Sequence, residues 1–173
     1  MAISPQTLLA FLLASIALAA CSGIDLSLIG LRPDEAAAAD ACPVTQPEFV
    51  VPPEDPAVGG TPAPGYYFVN QDRSIWASAG WTEYEEYRQA GGEGVKVGWF
   101  RPAGAALEVS GRRIDGEAPP LHSDFPCCYP TRFQASGLYF PTEGCWEVNA
   151  RAITDVGAIR ESPLLTFVVK IDP

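Results

Sequence analysis

The sequence predicts an all-β fold, an antiparallel β-sandwich of about seven strands with one short helix, standing behind an apolar leader and a Pro-rich linker. Three observations predict it. Beyond Pro64 the chain is a series of short apolar runs separated by Gly, Pro, Asp and Asn, the punctuation of strands and turns. In residues 145–152 the apolar positions Trp146, Val148, Ala150 and Ala152 recur at a period of two, as in a strand buried on one face. Only one stretch carries the start and stop signals of a helix.

Residues 8–20, LLAFLLASIALAA, hold no charge and end in small residues before Cys21. Thirteen residues rise only about 20 Å as a helix, short of a hydrocarbon core of about 30 Å. The segment therefore reads as a signal-peptide core. Leu18-Ala19-Ala20-Cys21 resembles the lipobox of bacterial lipoproteins, which implies lipidation of Cys21 and an extracytoplasmic, membrane-anchored protein. Leader 1–20, tether 21–64 and sandwich 65–173 are the expected divisions.

The tether expectation rests on composition. Residues 22–64 carry eight prolines and the Gly59-Gly60 pair, and proline fixes φ while removing a donor, which favours an extended chain. Seven acids in residues 1–60 face Arg32 alone, so most of the net charge of −10 lies here. That sign also argues against a nucleic-acid partner, whose phosphates demand a basic face.

The expected strands are 66–69, 74–78, 95–101, 107–113, 137–140, 145–152 and 164–171. The helix is expected after 81, where Thr82 and Glu85 have capping-box spacing and Gly91-Gly92 supplies a stop. Trp81, Tyr84 and Tyr87 would share one of its faces. Seven strands with turns between them suit an immunoglobulin-like sandwich, which buries a Trp or two between its sheets; Trp99 and Trp146 are the expected ones.

Several segments carry a further likeness. LEVSGRRIDG at 107–116, APPL at 118–121, FQASGLYFPTEGCWEV at 133–148 and LTFVV at 165–169 resemble a family of bacterial secreted and lipid-anchored proteins with a C-terminal immunoglobulin-like domain. The likeness covers roughly 75–170 and implies an extracytoplasmic location; it brings no catalytic residue. The chain departs from the pattern at Cys127-Cys128-Tyr129, where the family carries Gly-Tyr-Gly.

After Cys21 four cysteines remain, and in an exported chain they read as two disulfides with three connectivities open. Cys42 and Cys145 resemble cysteine positions of that family, so the likeness favours a Cys42–Cys145 bridge. Cys127 and Cys128 are then left as a vicinal disulfide or as two thiols.

Little in the chain argues for catalysis. His122-Ser123-Asp124 has the letters of a hydrolase triad, but a triad's members converge from separate segments. No Gly-x-Ser-x-Gly and no phosphate-cradling Gly loop is present. Cys127, Cys128 and His122 make a poor metal set, because adjacent ligands on extended chain point to opposite faces. No metal and no cofactor is expected. Exposed aromatics beside arginine favour recognition, which makes Trp81, Tyr84, Tyr87, Arg112 and Arg113 the candidate binding surface. The expected role is a membrane-tethered structural or interaction domain with a protein partner. The alternative is a ligand- or glycan-binding module of the cell surface.

Overall fold

A computed structural model describes residues 42–57, 59, 62–88, 90–91, 94–126, 129–154 and 160–173. Cys21 with the leader, and the Cys127-Cys128 pair, lie outside them. The described residues form ten strands in two antiparallel sheets. These are β1 (Glu48–Val50), β2 (Gly65–Val69), β3 (Trp76–Ser78), β4 (Val95–Phe100) and β5 (Ala106–Arg113), then β6 (His122–Asp124), β7 (Phe133–Tyr139), β8 (Gly144–Thr154), β9 (Arg160–Glu161) and β10 (Leu165–Ile171).

One sheet has six strands in the order β1-β2-β3-β4-β7-β6. The other runs β10-β8-β5, with β9 also paired to β8. The paths β3-β4-β7-β6 and β10-β8-β5 are compatible with the ABED and GFC sheets of an immunoglobulin-like sandwich.

The alternation read in residues 145–152 holds through β8. Trp146, Val148, Ala150 and Ala152 are buried together with Leu165, Phe167, Val169 and Ile171 of β10. The facing sheet contributes Phe68, Ala77, Val95, Val97, Trp99 and Leu138. Phe68 and Phe167 stack across the sandwich at 4.2 Å. Trp99 and Trp146 are both fully buried, and each indole N–H has a partner, Ser136 Oγ at 2.8 Å and the Thr142 carbonyl at 2.9 Å. A buried indole donor left unpaired would cost about 1–3 kcal/mol.

The sandwich begins earlier than composition suggests, at Cys42 rather than Gly65. Proline-rich sequence reads as tether, yet the donors between the prolines are used. The Thr45 N–H donates to the Val168 carbonyl and its hydroxyl accepts from the Val168 N–H, both at 2.9 Å, which covers the outer edge of β10. Three residues on, β1 joins the other sheet beside β2. Cys42 is joined to Cys145 by a disulfide, with the Cα atoms 5.5 Å apart.

Asp55, 6% exposed, fastens the end of this segment. Its Oδ1 accepts from the Ala57 N–H at 3.0 Å and its Oδ2 from the Arg132 N–H. Burial opposes its charge, but these bonds, one from Phe133 N–H and the Arg132 charge hold the carboxyl below its ordinary range. A depressed carboxylate stabilises the fold above its unfolded pKa of about 3.9, and that stability is lost as pH falls through the folded value. Asp55→Asn should therefore melt below the parent at neutral pH, and the gap should close as melts are taken from about pH 6 to about pH 2. A gap constant across that range would show that the charge contributes nothing.

The expected helix is replaced by two 3₁₀ turns, Gly80–Glu83 and Glu85–Arg88. Tyr84 between them is extended, at φ −108° and ψ 121°. The capping box fails because the Thr82 hydroxyl donates back to the Ala79 carbonyl at 2.7 Å instead of accepting from the backbone ahead. Arg88 then pairs with Asp172 at 2.9 Å, tying the turns to the end of β10.

Candidate functional site

The five residues expected to form a binding surface are not gathered into one. Trp81 is buried at 6% exposure, with its indole donating to the Ser78 carbonyl. Tyr84 and Tyr87 are about half exposed and meet edge to face at 5.8 Å. Arg112 pairs with Glu147 across β5 and β8 at 3.0 Å.

Arg113 has a structural task. It bonds Asp115 at 2.6 Å, and that contact, more than any other, holds the Asp115 carboxyl below its ordinary range. The pair lies over Gly144, where φ is +122° and an added Cβ would collide with the Arg113 side chain. Only glycine suits that backbone and that space.

The aromatic surface lies instead on the outer face of the six-stranded sheet. Alternation sends Tyr67 of β2, Trp76 of β3, Phe100 of β4, and Phe133 and Tyr139 of β7 away from the core. Phe100 and Phe133 are register partners with ring centroids 5.4 Å apart. Tyr67 is 6.0 Å from both Phe100 and Trp76, and the Arg73 guanidinium sits 4.8 Å from the Trp76 ring centroid. Phe133 is 45% exposed. Packing of this kind on a sheet stabilises its strands; Trp76 is buried at 5% exposure, and half-buried Tyr67 and Phe100 with exposed Phe133 leave a partly exposed apolar strip.

Beside the strip is a cleft of about 380 Å³ between β4, β7 and β6. Its floor is made by the small residues Ala135 and Gly137, the latter opposite both Lys96 and Asp124. The Tyr139 ring lies back over Gly94 and Gly137, and the Phe133 ring reaches over Gly98. A Cβ on those glycines would meet ring atoms at 2.6, 2.9 and 3.0 Å respectively. His122 stands beside Tyr139 at 5.4 Å on the same face.

The remaining wall comes from Pro126 and Tyr129, whose backbone carbonyls are held by Gln134 and Arg101. This guanidinium is 1% exposed. It donates to Gln134 Oε1 at 2.8 Å and to the carbonyls of Pro102, Thr131 and Tyr129 at 2.9–3.3 Å. Gln134 in turn donates to the Pro126 carbonyl at 3.1 Å. Burial pulls the Arg101 pKa down, but a guanidinium starts so high that it keeps its proton.

His122, Ser123 and Asp124 do not converge. They follow one another along β6, so Ser123 turns inward and donates to the Val109 carbonyl at 3.2 Å while its neighbours face out. Among the described residues no group of three His, Cys, Asp or Glu side chains is placed to hold a metal ion.

Sequence reasoning passed over Phe133, Tyr139 and Lys96, and met Asp124 only as the last letter of the His122-Ser123-Asp124 run. A signal existed in FQASGLY at 133–139, where large aromatics stand at both ends of one alternating face and Ala and Gly between them. Comparison of the chain with family models, curated proteins and solved structures finds no match.

Proposed function

We propose that the chain is a lipid-anchored protein of the cell envelope whose β-sandwich is a non-catalytic interaction domain, working through the outer face of its six-stranded sheet. The observation that carries this reading is the row of Tyr67, Phe100 and Phe133 on the solvent side of the sheet. Polar residues would suffice on that side, and exposed aromatics mark recognition surfaces. The Cys42–Cys145 disulfide supports an oxidising compartment, and the lipobox-like sequence before Cys21 supports the anchor. The likeness to lipid-anchored bacterial proteins points the same way.

One experiment tests both parts. The full chain is produced in its host with a photo-reactive phenylalanine analogue at position 133, irradiated, and separated into membrane and soluble fractions. The analogue at Leu164, an exposed apolar residue between β9 and β10, serves as the control. A discrete adduct from position 133 but not 164, on protein in the membrane fraction, is the expected result. Cys21→Ala in the same background should leave the membrane fraction. Equal labelling from both positions sinks the interaction face, and unchanged fractionation of Cys21→Ala sinks the anchor.

A further inference from the structure

We infer that the cleft between β4, β7 and β6 binds a neutral saccharide, with the apolar face of a sugar ring against Tyr139 and its hydroxyls held between Lys96 and Asp124. This rests on reading the outer face of the six-stranded sheet as the interaction surface, and it names the class of ligand.

The shape comes first. At about 380 Å³ the cleft falls within the usual range of small-molecule sites, about 300–1,000 Å³. It exists because three of its lining positions, Gly94, Ala135 and Gly137, carry almost no side chain. The Tyr139 ring lies down on Gly94 and Gly137 instead of standing off the sheet. It thus rests one face on the backbone. The negative face of an aromatic ring attracts the weakly positive hydrogens on the apolar side of a pyranose.

Charge narrows the class. Lys96 and Asp124 are the register partners of Gly137 from opposite sides. Two strand spacings put them about 10 Å apart across the floor. Both are exposed, and among the described residues neither takes part in an ion pair. The ammonium can only donate and the carboxylate can only accept, so a ligand spanning them must do both, as a polyol does. An apolar peptide would desolvate two charges without replacing their hydrogen bonds. A polyanion would meet one Lys beside one Asp on a chain of net charge −10.

The full chain is titrated by calorimetry with short cello-, malto-, xylo- and N-acetylchito-oligosaccharides. At least one series should bind saturably. Asp124→Ala and Lys96→Ala should each weaken it at least about tenfold at an unchanged melting temperature, since both side chains are exposed. Silence toward every series overturns the inference, as does binding that survives both substitutions. An adduct from position 133 together with silence toward the sugars overturns the saccharide and keeps the interaction face; absence of both removes the two readings together. Binding of an apolar peptide in the cleft, unaffected by Asp124→Ala, would also overturn the saccharide.

Discussion

Trp146→Ala is expected to abolish cooperative unfolding or to lower the melting temperature by at least about 10 °C. Trp146 sits on β8, the strand that pairs with β5, β9 and β10 and so holds the smaller sheet together. It stands between Arg113 and Val169 in register, meets Phe140 edge to face at 5.7 Å, and gives its indole proton to the Thr142 carbonyl. Truncating a buried Trp costs about 3–5 kcal/mol, and here it also strips a turn carbonyl of its donor. A domain is held by about 5–15 kcal/mol in all, so the loss is a large share. His122→Ala, an exposed change on β6, should stay within about 0.5 kcal/mol of the parent. Denaturant or thermal melts of the two variants side by side decide it. A Trp146→Ala protein that melts within a degree or two of the parent would remove Trp146 from this account of the core.

Trp146 was legible in the sequence because Cys145 to Ala152 alternates cleanly. The strand before it was legible only in its last residues, 137–139. On β7 the inward positions include Gln134 and Ser136, which are buried because Arg101 and Trp99 use them as hydrogen-bond partners. The outward positions hold Phe133, Ala135, Gly137 and Tyr139. Hydrophobicity there is inverted with respect to burial, and only partners from β4, distant in sequence, explain it. The cleft was hidden for the same reason. Lys96 and Asp124 are 28 positions apart in the chain and face each other across the cleft only because both strands flank Gly137.

The short elements fail differently. β1, β6 and β9 have two or three residues each, too few for any period to show. The helix signals around Thr82 were real local preferences, overridden when Trp81 was drawn into the core and Tyr84 became extended. Cys42 marks the limit of composition as evidence. Its neighbours Pro43 and Pro47 speak for a tether, while Thr45 between them supplies the pairing that β10 needs.

That pairing makes reduction of the disulfide the second large effect. Cys42 and Cys145 are 103 residues apart. In the chain-entropy model, closing a loop of that length removes about 4.7 kcal/mol of freedom from the unfolded chain, and native bridges in small exported domains contribute about 2–5 kcal/mol. Without the bridge, the segment from Cys42 to Thr45 depends on few contacts to stay beside β10. If it frays, the Val168 N–H and carbonyl return to solvent and an edge strand is uncovered. Reduced protein and Cys42→Ala should therefore melt together, below the oxidised parent, and both should aggregate sooner. Cys145→Ser should fall lower still, because position 145 is buried and the new hydroxyl enters the start of a core strand. Peptide mapping of the unreduced protein should give Cys42 and Cys145 in one linked pair. A Cys145 that alkylates in the native protein, or a reduced chain that melts with the oxidised one, would show that the bridge does not hold the Cys42–Thr45 segment in place.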